Sequence, residues 1–165
     1  MFTSFAGLPL HPFIIHLTVV AAPLAAITVA AVVVVPAWRR RGPLIAVVVA
    51  AVAAIAVLIS KESGEALLDR GYERSRVSDH AFWADILTLS AFALLAVTVL
   101  LCVSCHLPGV VTVILRVLAL AAAAVVMWTV VATGHAGAEL VWADEYVAKE
   151  SLNFLPQRLG VGQYR

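Results

Sequence analysis

Charged residues are scarce in this chain of 165 residues, where they make up 13% while hydrophobic residues make up 63%. A soluble domain of similar size carries about 25% charged and about 45–50% apolar residues. The low charge excludes an intrinsically disordered chain, because disorder requires high charge and low hydrophobicity. With 11 Lys and Arg against 10 Asp and Glu, the chain also lacks the basic excess of a nucleic-acid-binding protein. We therefore expect a protein that contacts the lipid bilayer and does not bind nucleic acid.

Cysteine is also scarce, and two cysteines cannot form a disulfide framework. The segment Cys102-Val103-Ser104-Cys105-His106 matches the C-x-x-C-H pattern of covalent c-type haem attachment. It lies where an apolar run ends, so little chain is available to enclose a haem. We therefore rank covalent haem at Cys102, Cys105 and His106 low, together with a thiol or metal role, and favour ordinary small cysteines at a membrane interface.

Long apolar runs dominate the rest of the chain. A bilayer core about 30 Å thick requires roughly 20 apolar residues of helix. Four runs meet this length almost without charge, and their connections within the first and the last pair are short, so consecutive helices should be antiparallel. The predicted spans are residues 13–35, 43–60, 81–103 and 112–141.

These spans predict an all-α fold, an integral membrane antiparallel four-helix bundle. We place the bundle within residues 1–142 and expect a polar C-terminal tail over residues 143–165. No internal repeat is evident. The orientation in the membrane stays open, because the dense arginine cluster lies on one side and the larger number of Lys and Arg residues lies on the other.

Polar residues collect at one end of this bundle. Folding the spans antiparallel brings four of the five histidines to the same end, from three of the four helices. Ionisable side chains within a span are energetically expensive and indicate a functional site. The set consists of His11 and His16 on the first helix, His80 and Asp85 on the third, and His135 and Glu139 on the fourth.

The spacing of these residues limits the chemistry. His11 and His16 are about 140° apart around a helix, so both cannot face one small ion. A haem iron needs only two histidines from different helices. Asp85 and Glu139 could orient an imidazole, as the carboxylate partners of metal-bound histidines do.

Glycines near this end leave space beside the helices. Gly64, Gly134 and Gly137 have no side chain, so they could provide room for a macrocycle. The alternative interpretation is that the glycines allow close helix packing and that the histidines bond to water and lipid headgroups at the membrane interface.

Two motifs resemble a known family. The first is Gly7-Leu8-Pro9-Leu10-His11-Pro12 followed by His16, and the second runs from Thr133 to Trp142 with Gly134-His135-Ala136-Gly137 inside it. Together with His80, they resemble the bacterial membrane family called domain of unknown function 2231, over roughly residues 7 to 142. Ala138 departs from the pattern, since a second glycine is common there, and residues 102–106 are not part of it. The resemblance implies a four-helix, multi-pass domain of the bacterial cytoplasmic membrane, in some members joined to redox domains such as Rieske modules.

Our first hypothesis is a small membrane cytochrome. A b-type haem would be held noncovalently, with two of His16, His80 and His135 as axial ligands. His11 would serve a second haem or bond to a propionate. The protein would then transfer electrons between a quinone or a redox protein and an acceptor on that side.

Two other hypotheses stay open. One is an accessory or assembly module without cofactor, acting as a homo-oligomer or as a subunit of a larger membrane complex. It would dock a partner through residues 61–79 and the tail after Trp142. The other is a Zn, Cu or Fe site built from three histidines and a carboxylate.

Overall fold

The computed structural model describes residues 4–5, 8–68, 75, 77–104 and 109–159, with side chains described between residues 10 and 142 of these ranges. The described chain is helical except for turns and one antiparallel pair, in which β1 (Ser4–Phe5) pairs with β2 (Leu8–Pro9). The helices are α1 (His11–Val34), α2 (Gly42–Leu68), α3 (Ser78–Val103) and α4 (Gly109–Leu159).

All four helices are long and apolar enough to cross a membrane, and the predicted all-α four-helix membrane bundle is confirmed. α1 packs against α2 and α3 packs against α4, while α2 also contacts α3 and α1 contacts α4. The bundle is therefore a square in which α1 and α3 are diagonal neighbours that scarcely touch.

The helices extend beyond the predicted spans at most of their ends. α1 begins at His11, and Pro12 lies in its first turn. Backbone N–H groups in a first turn have no partner within the helix, so the N–H that proline lacks costs no hydrogen bond there. α1 ends at Val34 because Val35 precedes Pro36 and is extended, with φ −88° and ψ 112°.

The C-terminal ends of α2 and α4 differ more from the predicted spans. α2 continues to Leu68 through polar residues that are good helix formers, and Lys61 Nζ lies 3.1 Å from Glu65 Oε1 one turn later. α4 continues to Leu159, and residues 160–165 lie outside the described chain. An apolar run marks what can lie in lipid, but polar residues can continue the same helix. The division into domain and tail at residue 142 stays a prediction.

Small residues form the contacts between the helices. Ala25, Ala46, Ala54 and Ala119 have no exposed surface, whereas large apolar side chains such as Leu89 face outward. This pattern suits a lipid environment, because helix association there depends on close packing and not on hydrophobic burial. Buried hydroxyls add hydrogen bonds between helices. Thr18 Oγ1 donates to the Ala56 carbonyl, and the Ser90 and Thr129 hydroxyls are 3.2 Å apart.

The two hairpins resemble each other in packing, although the sequence shows no internal repeat. The hairpin α1–α2 and the hairpin α3–α4 bury residues at matching spacings. The sequence does not show this correspondence because most of the paired positions hold different residues, and because membrane helices that are apolar all round give no hydrophobic periodicity. In the first helix of each hairpin, the matching buried residues are Thr18, Ala21, Ala22, Ala25 and Val29 of α1 and Leu87, Ser90, Ala91, Leu94 and Thr98 of α3. In the second helix, they are Ala46, Ala50, Ala53, Ala56 and Ser63 of α2 and Ala119, Ala123, Val126, Thr129 and Ala136 of α4.

Candidate functional site

His11 and His80 occupy equivalent positions at the start of the two hairpins. His11 Nδ1 lies 3.0 Å from the Ser60 carbonyl oxygen, and His80 Nδ1 lies 3.0 Å from the Thr133 carbonyl oxygen. A carbonyl oxygen can only accept, so Nδ1 of each ring carries the hydrogen and donates it. Nε2 of each ring therefore keeps its lone pair, and neither Nε2 bonds to another described residue. These bonds favour the tautomer in which Nε2 of each histidine is available as a ligand atom.

A glycine lies beneath each of these rings. Gly64 follows Ser60 by one helical turn, and an added Cβ there would be 3.1 Å from Cε1 of His11. Gly137 follows Thr133 by one turn, and an added Cβ there would be 3.1 Å from Cε1 of His80. The sequence suggests that Gly137 provides room for a macrocycle, but in the structure the ring of His80 occupies the space beside this glycine. An added Cβ at Gly134 would meet no atom within 4 Å, so that glycine borders open space.

We expect Gly64→Ala and Gly137→Ala to be less stable than Gly134→Ala. Alanine in a helix is favoured over glycine by about 1 kcal/mol, so Gly134→Ala should raise the melting temperature. At the other two positions the new methyl group pushes the histidine ring from its carbonyl partner and offsets this gain. Thermal unfolding in detergent measures the difference. An equal gain for all three variants would show that the rings are not seated against these glycines.

His16 and His135 lie apart from this pair. His16 Nδ1 is 2.6 Å from the Pro12 carbonyl oxygen of its own helix, and the residue is exposed. The His135 side chain is 75% exposed, and its Nε2 is 3.2 Å from Glu139 Oε1 one turn later, the contact that the spacing predicts. His11 and His80 thus each bond to the neighbouring helix of their hairpin, whereas His16 and His135 bond to their own helices. The assignment of His16, His80 and His135 as ligands stays a prediction.

Asp85 pairs with a lysine of the neighbouring helix. Lys61 Nζ lies 3.2 Å from Asp85 Oδ1 and 3.1 Å from Glu65 Oε1, which connects the end of α2 to the start of α3. Asp85 therefore neutralises a cation and contacts no described histidine. From the sequence, Lys61 follows the apolar run that ends at Ser60, in a segment through which the helix could continue to Leu68. The Lys61–Glu65 spacing of one helical turn was the pattern that could have placed it on the helix.

The described residues contain no group of three or more His, Cys, Asp or Glu side chains that could hold a metal ion. What the described part of the chain offers is a pair of histidines, and a pair is what a haem iron uses. Cys102 has a free thiol. Cys105 and His106 lie outside the described residues, and with them the C-x-x-C-H interpretation.

The four spans and the histidine-lined end define a small multi-pass membrane protein of the helical-bundle class. The chain belongs to the DUF2231 family, described as predicted membrane proteins, because the family model matches residues 7–150. This confirms the resemblance in the two histidine-containing motifs and extends it past Trp142. Comparison with curated proteins and with solved structures gave no match. The function must therefore be argued from the site.

Proposed function

We propose that this protein is a small haem protein of the bacterial cytoplasmic membrane, with His11 and His80 as the axial ligands of a b-type haem. The observation that carries the proposal is the shared geometry of these two residues. Each donates Nδ1–H to a carbonyl and keeps Nε2 free, on helices that are diagonal in the bundle. The proposal keeps the haem hypothesis and replaces His16 and His135 with His11.

The hydrogen bonds to Nδ1 are the kind that metal-bound histidines make. Such a histidine almost always donates its other ring N–H to a carboxylate, a carbonyl or water, which fixes the ring and raises its basicity. Here the carbonyls of Ser60 and Thr133 serve this purpose. The two rings therefore offer the donor atoms that a haem iron would take, one imidazole nitrogen from each of two helices.

A haem bound here supplies one-electron chemistry. The remaining tasks belong to the protein. His11 and His80 would bind the haem iron, and the Ser60 and Thr133 carbonyls hold the two rings in place. The Lys61–Asp85 ion pair connects α2 to α3 at the same end of the bundle. The function is then electron transfer at this face of the membrane, with a quinone or a redox protein as the partner class.

A second candidate function is an accessory module without cofactor. The same two histidines connect α1 to α2 and α3 to α4, so they could stabilise the hairpins and do nothing else. α4 also continues from Trp142 to Leu159, about 25 Å of further helix at 1.5 Å per residue, which could dock a partner.

Haem stoichiometry separates the two candidates. The protein is made in haem-replete cells, purified in detergent and assayed as the pyridine haemochrome. We expect about one haem per chain, which acid–acetone extracts because no thioether bond holds it. Haem that stays bound after extraction and disappears in Cys102→Ala would instead establish covalent attachment. A colourless protein that does not bind added haem would contradict the haem proposal and favour the accessory module without cofactor.

A further inference from the structure

A cavity lies at the end of the bundle opposite to the histidines. Its volume is about 310 Å³, at the lower limit of the roughly 300–1,000 Å³ typical of small-molecule sites. It is formed where α1 and α3 end and α2 and α4 begin. Its lining includes Arg39, Arg116, Thr112 and Cys102, together with apolar residues of α1 and α3.

The positive charge at this end has no carboxylate partner among the described residues. Asp and Glu are absent from residues 1–61 and from residues 86–138, whereas Arg39, Arg40, Arg41 and Arg116 all lie at this end. The ion pairs of the described residues are all at the histidine end. Arg116 lies within the span Gly109–Trp142, where an uncompensated charge is energetically expensive. An anion from outside the chain would compensate this charge.

Arg39 is already positioned to bind one. Its Nε and Nη2 donate to the Val33 carbonyl oxygen at 3.3 and 3.2 Å, near the C-terminal end of α1. A guanidinium has five N–H donors, so three remain for a ligand. Two hydroxyl side chains line the described cavity, those of Ser104 and Thr112. The Ser104 hydroxyl donates to the Leu101 carbonyl, so the Thr112 hydroxyl is the one available to donate to a ligand.

We propose that this cavity binds a phosphate-bearing anion between Arg39 and Arg116, and that the anion is the headgroup of an anionic phospholipid. Guanidinium groups bind phosphate oxygens in pairs of hydrogen bonds, and basic pockets between membrane helices bind anionic headgroups. The cavity lies at the ends of the four apolar helices, and an exposed tryptophan such as Trp38 beside Arg39 is typical of the membrane–water interface. The site is independent of haem binding, because it is at the other end of the bundle.

Native mass spectrometry of delipidated protein tests this site. We expect phosphatidylglycerol to bind at least about 10-fold more tightly than phosphatidylcholine, and Arg39→Gln or Arg116→Gln to remove most of that preference, since each loses charge-assisted hydrogen bonds to the phosphate. Arg40→Gln and Arg41→Gln are the matched controls, because they remove the same charge from positions that are exposed like Arg39 but do not line the cavity. They should change the affinity by less than about 3-fold, as expected for screened surface charges. Arg116→Lys should restore part of the preference.

A titration with inorganic phosphate in the absence of lipid separates the two sources of the anion. Stabilisation by phosphate that Arg116→Gln abolishes would support the same site with a free anion as ligand. In a Cys105→Ser background, phosphatidylglycerol should also slow maleimide modification of Cys102, because this thiol lines the cavity. The proposal would be overturned if both lipids bound equally and phosphate gave no stabilisation. It would also be overturned if Arg40→Gln and Arg116→Gln lowered the affinity for phosphatidylglycerol equally.

Discussion

His11→Ala and His80→Ala should each remove the sharp low-spin bands expected of the proposed haem-bound protein, whereas His16→Ala and His135→Ala should leave them nearly intact. The physical reason is that loss of one axial nitrogen opens a coordination position on the iron, which gives a high-spin or haem-free protein. His16 and His135 bond to their own helices and are exposed, so their removal disturbs no residue of the proposed site. Absorption spectra of the four variants, reduced with dithionite, provide the measurement.

Added imidazole distinguishes a lost ligand from a lost fold. If His80→Ala removes only a ligand, imidazole in the buffer should restore part of the low-spin spectrum. Glu139→Gln serves as a further control, because Glu139 contacts His135 and not the proposed ligands. Loss of the spectrum in His16→Ala or His135→Ala, with His11→Ala unaffected, would return the ligand assignment to the one first made from the sequence.

Ala119→Leu should destabilise the bundle strongly, whereas Ala124→Leu on the same helix should have little effect. Ala119 has no exposed surface, and the larger side chain would force α4 away from its neighbours. Overpacking of this kind costs about 1–3 kcal/mol. Ala124 is exposed, so a leucine there extends into lipid. The unfolding midpoint in mixed micelles gives the comparison, and equal midpoints would show that the small-residue contacts do not hold these helices together.

The fold could be predicted from the sequence because lipid allows few alternatives. Four apolar runs of sufficient length must be helices, since every backbone polar group in the bilayer needs an internal partner. The helix ends could not be predicted in the same way. Polar segments such as Lys61–Leu68 continue a helix without belonging to an apolar run, and only local hydrogen bonds decide where the helix stops.

The candidate site was predictable in place but not in detail. Antiparallel folding alone brings the histidines to one end. Whether a ring turns into the bundle or stays on its own helix depends on the helix that packs beside it. His11 was therefore assigned a secondary role, although Ser60 and Gly64 of α2 hold it just as Thr133 and Gly137 hold His80. The arginine-lined cavity was missed because the arginines were considered only as indicators of membrane orientation.

The central claim is that the histidine end of this bundle holds a haem. Its most direct test is the absorption spectrum of the detergent-purified protein from haem-replete cells, recorded after air oxidation and again after dithionite reduction. Two imidazole ligands leave no open position on the iron, so reduction should produce sharp low-spin α and β bands. A spectrum without a Soret band in either state, unchanged after haem is added, would contradict the claim and assign His11 and His80 to holding the hairpins together.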